Sequence, residues 1–294
     1  GRPGAASATL GDMSDRPRVW VNGSLVEAGV GQISPVDHGL VVGDGAFETV
    51  ELVGGRPFAL TRHHRRLERS LAGLGLAPLD WDRVNEGIAA VLGDAPPIEF
   101  GRLRYFVTGG PGALGSERLP NSQATYVVAA GPLAPYPPSY VLHVVPWARN
   151  ERAATVGLKT TSYAENVIAY AAAKRAGAGE AIFGNTRGEL CEGTGCNIFV
   201  VIDGIIRTPP LSSGALAGVT RELLLEWAAQ DGLVILEEDL PLSVLQTADE
   251  VFITSTTRSV MPVHQVDDRR LEIGPMTRAA SALFNAHAAE GNDP

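Results

Sequence analysis

The chain has 294 residues, 24 of them Lys or Arg and 33 Asp or Glu, for a net charge of −9. With 45% hydrophobic and 19% charged residues it reads as one large or two medium globular domains, not as a disordered chain. No apolar run reaches the ~18 residues of a membrane helix, and an acidic chain without a basic block argues against a nucleic-acid binder or a polybasic membrane partner.

Residues 1–16 are small and polar, without the apolar stretch of a secretory signal, and read as a disordered leader. Arg18 to Val26, broken at Asn22-Gly23, has the pattern of a β-hairpin. A glycine turn at Gly43-Asp44-Gly45 then enters a strand, Ala46 to Val53. Gly54-Gly55 breaks it, and Arg56 to Leu60 resumes it. The period then changes. Thr61 is placed to cap a helix through His63, Leu67, Leu71 and Leu74, and a second helix covers 81–93. Strands are expected at 103–108 and 124–130, on either side of a flexible glycine loop, 109–115. Four prolines between Gly131 and Pro138 make a stiff linker. The domain division is therefore a small N-terminal domain, 17–131, a linker, 132–139, and a larger domain, 140–294.

In the larger domain, strands are expected at 140–146, 181–183, 197–202, 205–207, 233–236 and 250–254. Helices are expected at 164–176, 220–230 and 276–289. Strands and helices mix without strict alternation, which indicates the α+β class.

Of the 24 basic residues only Lys159 and Lys174 are lysines. Lys159 follows an apolar strand end and precedes Thr160-Thr161-Ser162. It is either a snorkelling lysine or a desolvated amine of lowered pKa, usable as a nucleophile. Lys174 stands near a helix C-terminus, where a cation complements the dipole. Glu192, in Cys191-Glu192-Gly193-Thr194-Gly195, is a carboxylate in a glycine-rich turn before the strand 197–202. It is either a solvated turn acid or the holder of a cation or protonated ring nitrogen. Gly218-Val219-Thr220 opens a helix, and Thr254-Ser255-Thr256-Thr257 is a hydroxyl-rich turn after a strand. Both could cradle a phosphate, with Arg66 adding a cation. Cys191 and Cys196 lack the second pair a zinc site needs and read as free thiols of a cytoplasmic protein.

Taken in order, these segments resemble the class IV pyridoxal-phosphate family: branched-chain aminotransferases, D-amino-acid aminotransferases and 4-amino-4-deoxychorismate lyases. The order is Phe47-Glu48-Thr49, the Arg66-Leu67 helix, Lys159, Glu192-Gly193-x-Gly195-x-Asn197, the Gly218-Val219-Thr220-Arg221 helix and the Thr256-Thr257 turn. The resemblance spans about residues 18–285. It implies the fold-type IV α+β arrangement, with a small N-terminal α/β domain and a larger domain carrying a β-barrel-like sheet. It also implies a homodimer and pyridoxal 5'-phosphate as cofactor. Residue by residue, Lys159 matches the Schiff-base lysine and Glu192 the acid facing the pyridine nitrogen. Arg66, Val219, Thr220, Thr256 and Thr257 match the phosphate holders, and Tyr163 matches a cofactor-side tyrosine.

Within the family, Tyr163 stands four residues after the lysine, where branched-chain aminotransferases usually have five. The Arg-x-His pair of the D-amino-acid enzymes has no counterpart in 107–116, which leaves Arg104 or Arg118 to replace it. The glycine loop and the run Gly43 to Thr49 are similar to lyase sequences, with Thr49 as an extra hydroxyl. The resemblance therefore implies a lyase that releases pyruvate from aminodeoxychorismate to give 4-aminobenzoate, a step of folate synthesis. In it, Lys159 moves the proton and Lys159 or Thr49 protonates the leaving group. The alternative is an aminotransferase for D-amino acids or branched-chain amino acids. A third reading is an α+β binding protein without catalysis.

Overall fold

The computed structural model describes residues 17–29, 32–93 and 96–294; the expected leader lies outside them. The N-terminal half opens with the hairpin β1 (Arg18–Val21) and β2 (Ser24–Val26). Asn22 and Gly23, both at positive φ (47° and 103°), turn it, as the Asn-Gly pair requires. A short helix α1 (His38–Val41) leads into β3 (Gly45–Val53) and the two-residue β4 (Arg56–Pro57). Helices α2 (Leu60–Gly73) and α3 (Trp81–Leu92) follow, then β5 (Phe100–Thr108) and β6 (Thr125–Pro132). The six strands form one sheet in the order β2-β1-β6-β5-β3-β4.

Alternation along β5 shows how this sheet is used. Leu103, Tyr105 and Val107 are buried in a core with Leu67 and Leu71 of α2 and Val84 and Ile88 of α3. Arg102, Arg104 and Phe106 therefore stand on the other face, because side chains alternate along a strand. That face looks into the cavity described below.

The second half comprises β7 (Tyr140–Arg149), α4 (Ala164–Arg175), β8 (Glu180–Asn185), β9 (Leu190–Gly193), β10 (Asn197–Ile202) and β11 (Ile205–Thr208). It continues with α5 (Val219–Asp231), β12 (Ile235–Glu237), β13 (Glu250–Ser255), β14 (Ser259–Val266), β15 (Arg269–Arg270) and α6 (Pro275–Ala288). The strands run β12-β11-β10-β13-β14-β7-β8-β9, and β9 also pairs with β10. That extra pairing closes β10, β13, β14, β7, β8 and β9 into a six-strand barrel. Ile198, Val200, Val251 and Ile253 fill one side of its wall with Leu142 and Ile182. Phe199, Val201 and Phe252 face the other way, under α5 and α6. Phe199 and Phe252 stack with centroids 4.8 Å apart. Burial on both faces explains the unbroken apolar run of β10.

The structure departs from the sequence expectations at several places: helix α1 was not expected, the strand expected over Arg56 to Leu60 ends at Pro57, the one expected from 103 begins at Phe100, and the one expected at 233–236 is Ile235–Glu237. Thr61 lies inside α2 and is not its cap. Ala59 holds the cap position in the left-handed region (φ 55°) with no side-chain cap bond. The Thr61 N–H and hydroxyl instead donate to the carboxylate of Asp293, at 2.9 and 2.6 Å. Glu192 stands in a buried strand, β9, and not in a solvated turn, because β8 and β10 pair with it on either side. The strand β14, which follows the hydroxyl-rich turn, was not expected. β7 runs three residues beyond the expected end, as far as Arg149.

Candidate active site

A cavity of about 650 Å³ is lined by both halves of the chain. Thr49, Arg66, Lys159, Tyr163, Glu192, Val219, Thr220, Thr256 and Thr257, all selected from the sequence, lie on its wall.

Lys159 is held through its backbone by two elements of the first half. Its N–H donates to Ser70 Oγ of α2 at 3.0 Å, and its carbonyl accepts from the Phe47 N–H of β3 at 3.1 Å. The amine is thereby fixed over aromatic surface, 4.4 Å from the Phe47 ring centroid and 5.7 Å from that of Tyr163. Burial pulls its pKa down to about 8. Arg66 adds to the shift, and Glu48 opposes it. A lysine in this state has an accessible neutral form, the nucleophilic one. Lys174 behaves as a helix-end cation, in the last turn of α4, with its amine 5.1 Å from the Tyr170 ring centroid.

Glu192 reaches the cavity from β9. Its Oε2 accepts the Leu216 N–H at 2.9 Å, and its Oε1 lies 3.3 Å from Arg149 Nε. Burial pushes its pKa up, against the pull of Arg149 and the Leu216 N–H. Oε1 accepts no hydrogen bond among the described residues and so has a lone pair for a donor in the cavity.

Arg66 is buried at the floor. Two of its nitrogens fork onto Glu48 and Nη1 donates to the Ala217 carbonyl at 3.1 Å, beside the start of α5. No side chain caps that helix; its cap residue is Gly218. A Cβ at Gly218 would stand 2.0 Å from Asn197 Oδ1, so only glycine fits this approach. Asn197 in turn donates to the Leu216 carbonyl at 2.8 Å and holds the turn. Thr256 and Thr257 follow β13, in which Thr254 pairs with Asn197 of β10, and the Thr257 hydroxyl lies 2.9 Å from the Tyr136 hydroxyl. Thr254 Oγ1 is buried without a hydrogen-bond partner. The Tyr163 hydroxyl donates to the Thr194 carbonyl at 2.8 Å, and burial lifts its pKa to about 12, so the ring stays neutral.

Sequence reasoning passed over several groups here. Arg149 lies beyond the expected end of its strand, and Tyr136 carries no local signal. Arg102 pairs by alternation with Arg104, a spacing of two that a strand reading could have exposed. Of the two cations considered for a substrate, Arg104 lines the cavity. Arg118 is turned away and forks onto Asp44.

The arrangement suits pyridoxal 5'-phosphate. An uncapped helix start, two threonines, the orphaned Thr254 hydroxyl and an arginine offer donors to a phosphate. Glu192 Oε1 offers an acceptor to a ring N–H, and Lys159 offers an amine to an aldehyde.

Comparison with known proteins agrees. The family model described as "Amino-transferase class IV" matches residues 45–266. The chain is 31% identical to a putative branched-chain-amino-acid aminotransferase of Methanocaldococcus jannaschii, over 91% of this chain and 95% of that protein. It is 29% identical to the D-alanine aminotransferase of Staphylococcus haemolyticus, over 92% and 97%. The crystal structure of 4-amino-4-deoxychorismate lyase from Pseudomonas aeruginosa superposes with a TM-score of 0.79 at 28% identity, over 94% of this chain and 100% of that one. The chain therefore belongs to the class IV aminotransferase family, as a fold-type IV enzyme that depends on pyridoxal 5'-phosphate.

Proposed function

We propose that the enzyme is a 4-amino-4-deoxychorismate lyase, which splits its substrate into 4-aminobenzoate and pyruvate. The observation that carries this reading is the pair Arg102 and Arg104 on the cavity face of β5. Neither makes an ion pair among the described residues, and the Nε of each is buried without a partner. Arg104 lies over Phe47 and Phe106, at 4.5 and 5.2 Å. Burial, and then the neighbouring Arg102, pull its pKa down. Two unpaired cations side by side are costly unless anions reach them. A substrate with two carboxylates meets that demand, and aminodeoxychorismate has one on its ring and one on its enolpyruvyl arm.

Bound pyridoxal phosphate draws electrons from the amine-bearing carbon of the substrate and so acidifies the proton there. The residues of the chain do the rest. Arg66, Val219, Thr220, Thr256 and Thr257 hold the phosphate, and Glu192 faces the ring nitrogen. Tyr163 packs edge-on against Phe47, with centroids 5.3 Å apart, and walls the ring side. Lys159 takes the proton from the amine-bearing carbon as general base. The bond from the ring carbon to the enolpyruvyl oxygen then breaks. Lys159 or Thr49 returns a proton to the enol carbon, and pyruvate leaves. One proton moves within the site, and no water or keto acid is consumed. We further propose a cytoplasmic homodimer. Val167 and Ile168 of α4 are 63% and 54% exposed, an apolar face that suits a second copy.

The test is to give the cofactor-loaded enzyme aminodeoxychorismate without a keto acid. Sustained release of 4-aminobenzoate and pyruvate in equal amounts is expected; no release over many turnovers overturns the reading. The second reading is an aminotransferase for D-alanine or branched-chain amino acids, which the two relatives at 31% and 29% identity favour. It predicts turnover only with amino donor and keto acid together, and a dicarboxylic acceptor would satisfy the same two arginines.

A further inference from the structure

We propose that Arg149 is a positioning residue that decides where the proton shared by Glu192 and the cofactor's ring nitrogen resides. Its guanidinium is clamped on three sides. Nη1 donates to Glu165 Oε2 at 2.5 Å, Nη2 donates to Asn166 Oδ1, and the plane lies over the Phe183 ring at 4.2 Å. The remaining donor, Nε, is buried, makes no hydrogen bond and stands 3.3 Å from Glu192 Oε1. Because Oε2 is engaged by the Leu216 N–H, Oε1 is the oxygen left for the ring nitrogen, and Arg149 is the cation beside it.

One proton lies between a carboxylate and a pyridine nitrogen of similar affinity, so a nearby fixed charge decides its position. A guanidinium makes the carboxylate the weaker base, and the proton goes to the nitrogen. Without it, burial favours the uncharged acid beside an uncharged ring, which withdraws electrons less well. The other titratable groups facing Glu192 are Lys159, Tyr163, Cys191 and Cys196. Burial pushes Tyr163 and Cys191 up to about 12 and Cys196 well above its ordinary value, so none of the three carries a charge at neutral pH. Lys159 is engaged by the cofactor, which leaves Arg149 as the fixed cation. Glu165 and Asn166 open α4, directly after the lysine-bearing segment. The same guanidinium thus holds the ring acid in register with Lys159.

The inference rests on Glu192 facing the ring nitrogen, and the experiment separates the two. Apoprotein is loaded with cofactor carrying 15N in its ring, and the nitrogen chemical shift is read in the wild type, Arg149→Met, Arg149→Lys and Glu192→Gln. The wild type and Arg149→Lys should show a protonated nitrogen. Arg149→Met and Glu192→Gln should move most of the way to the neutral value, and the cofactor Kd of Arg149→Met should rise about tenfold, the equivalent of one pKa unit. A wild-type shift in Arg149→Met, with Glu192→Gln moved, reduces Arg149 to packing and overturns the proposal. An unmoved Glu192→Gln overturns the Glu192 assignment itself. If Arg149→Met does not load, thermal unfolding of its apoprotein decides. An unpaired Glu192 has a further raised pKa, so stability falls as pH rises past the unfolded carboxylate range. The loss relative to wild type should be larger at pH 8 than at pH 5, and an equal loss at both overturns the proposal.

Discussion

Arg66 donates through Nε and Nη2 to the two carboxylate oxygens of Glu48, each at 2.7 Å, and His63 Nδ1 lies 2.7 Å from one of them. Glu48 has no solvent exposure. Burial alone would raise its pKa, but Arg66 and then His63 reverse this and hold it well below the usual carboxylate range. The pair anchors β3, which carries Phe47 and Thr49, to α2, which carries the arginine. Removing one partner strands a buried charge. Arg66→Met is therefore expected to cost about 3–5 kcal/mol of stability, measured by chemical denaturation. The double variant with Glu48→Gln should regain part of the loss. The sign of the pH effect follows from a depressed carboxylate. The stabilisation is complete above the ordinary value of 4.5 and is lost as pH falls below it toward the folded value. In Glu48→Gln that segment of the acid unfolding curve should flatten.

Lys159 has its pKa lowered from 10.5 to about 8, first by burial. The unfolded chain then binds more protons between pH 8 and 10.5, so this group contributes stability to the apoprotein only as pH rises through that window. Lys159→Met should make the apoprotein more stable at pH 7, by about 1–2 kcal/mol, with the gain shrinking as pH rises from about 8 to 10.5. The same variant should lose activity and fail to trap the cofactor covalently on borohydride reduction. Full covalent labelling of Lys159→Met would refute its role.

Arg104 has no acid partner in the cavity. Arg104→Met should lower kcat/KM by roughly 30-fold, the equivalent of about 2 kcal/mol for one desolvated charge contact, and leave cofactor binding unchanged. Arg104→Lys should recover a fraction only, because the planar fork is lost. Steady-state kinetics with aminodeoxychorismate, or with a dicarboxylic keto acid on the second reading, would measure both.

Thr49 lies directly opposite Arg104 in the β3–β5 register, on the cavity wall. Thr49→Val should load cofactor as the wild type does, and product release should slow by about 100-fold if its hydroxyl delivers the proton. Unchanged release would assign that proton to Lys159 alone.

Gly218 admits no Cβ, because Asn197 Oδ1 would lie 2.0 Å from it. Gly218→Ala should push Asn197 off the Leu216 carbonyl and displace the start of α5. Cofactor titration should show a Kd raised at least about tenfold, with much smaller loss of thermal stability than in Arg66→Met.

Helices α2, α3 and α5 and the first hairpin were legible because their signals are local: apolar residues at three-to-four spacing, and an Asn-Gly turn. Lys159 was legible for a different reason. In a chain with two lysines, one in an apolar setting stands out. Arginine gave no such contrast, since 22 of them are spread along the chain. What distinguishes Arg102, Arg104 and Arg149 is the presence or absence of acid partners. Those partners are brought by strands distant in sequence.

The sequence by itself determined the class of chemistry, because the order of its segments resembles one family, whose model matches residues 45–266. It also determined which faces of its strands are apolar. Tertiary structure decided that Leu190 to Gly193 is a strand and not a turn. Four residues with a glycine carry no strand signal of their own, and only pairing to β8 and β10 makes them one and closes the barrel. It also decided that Asp293, not Thr61, terminates α2, a contact across 232 residues. Local propensity is set by neighbours along the chain, whereas the charge a buried side chain meets is set by neighbours in space.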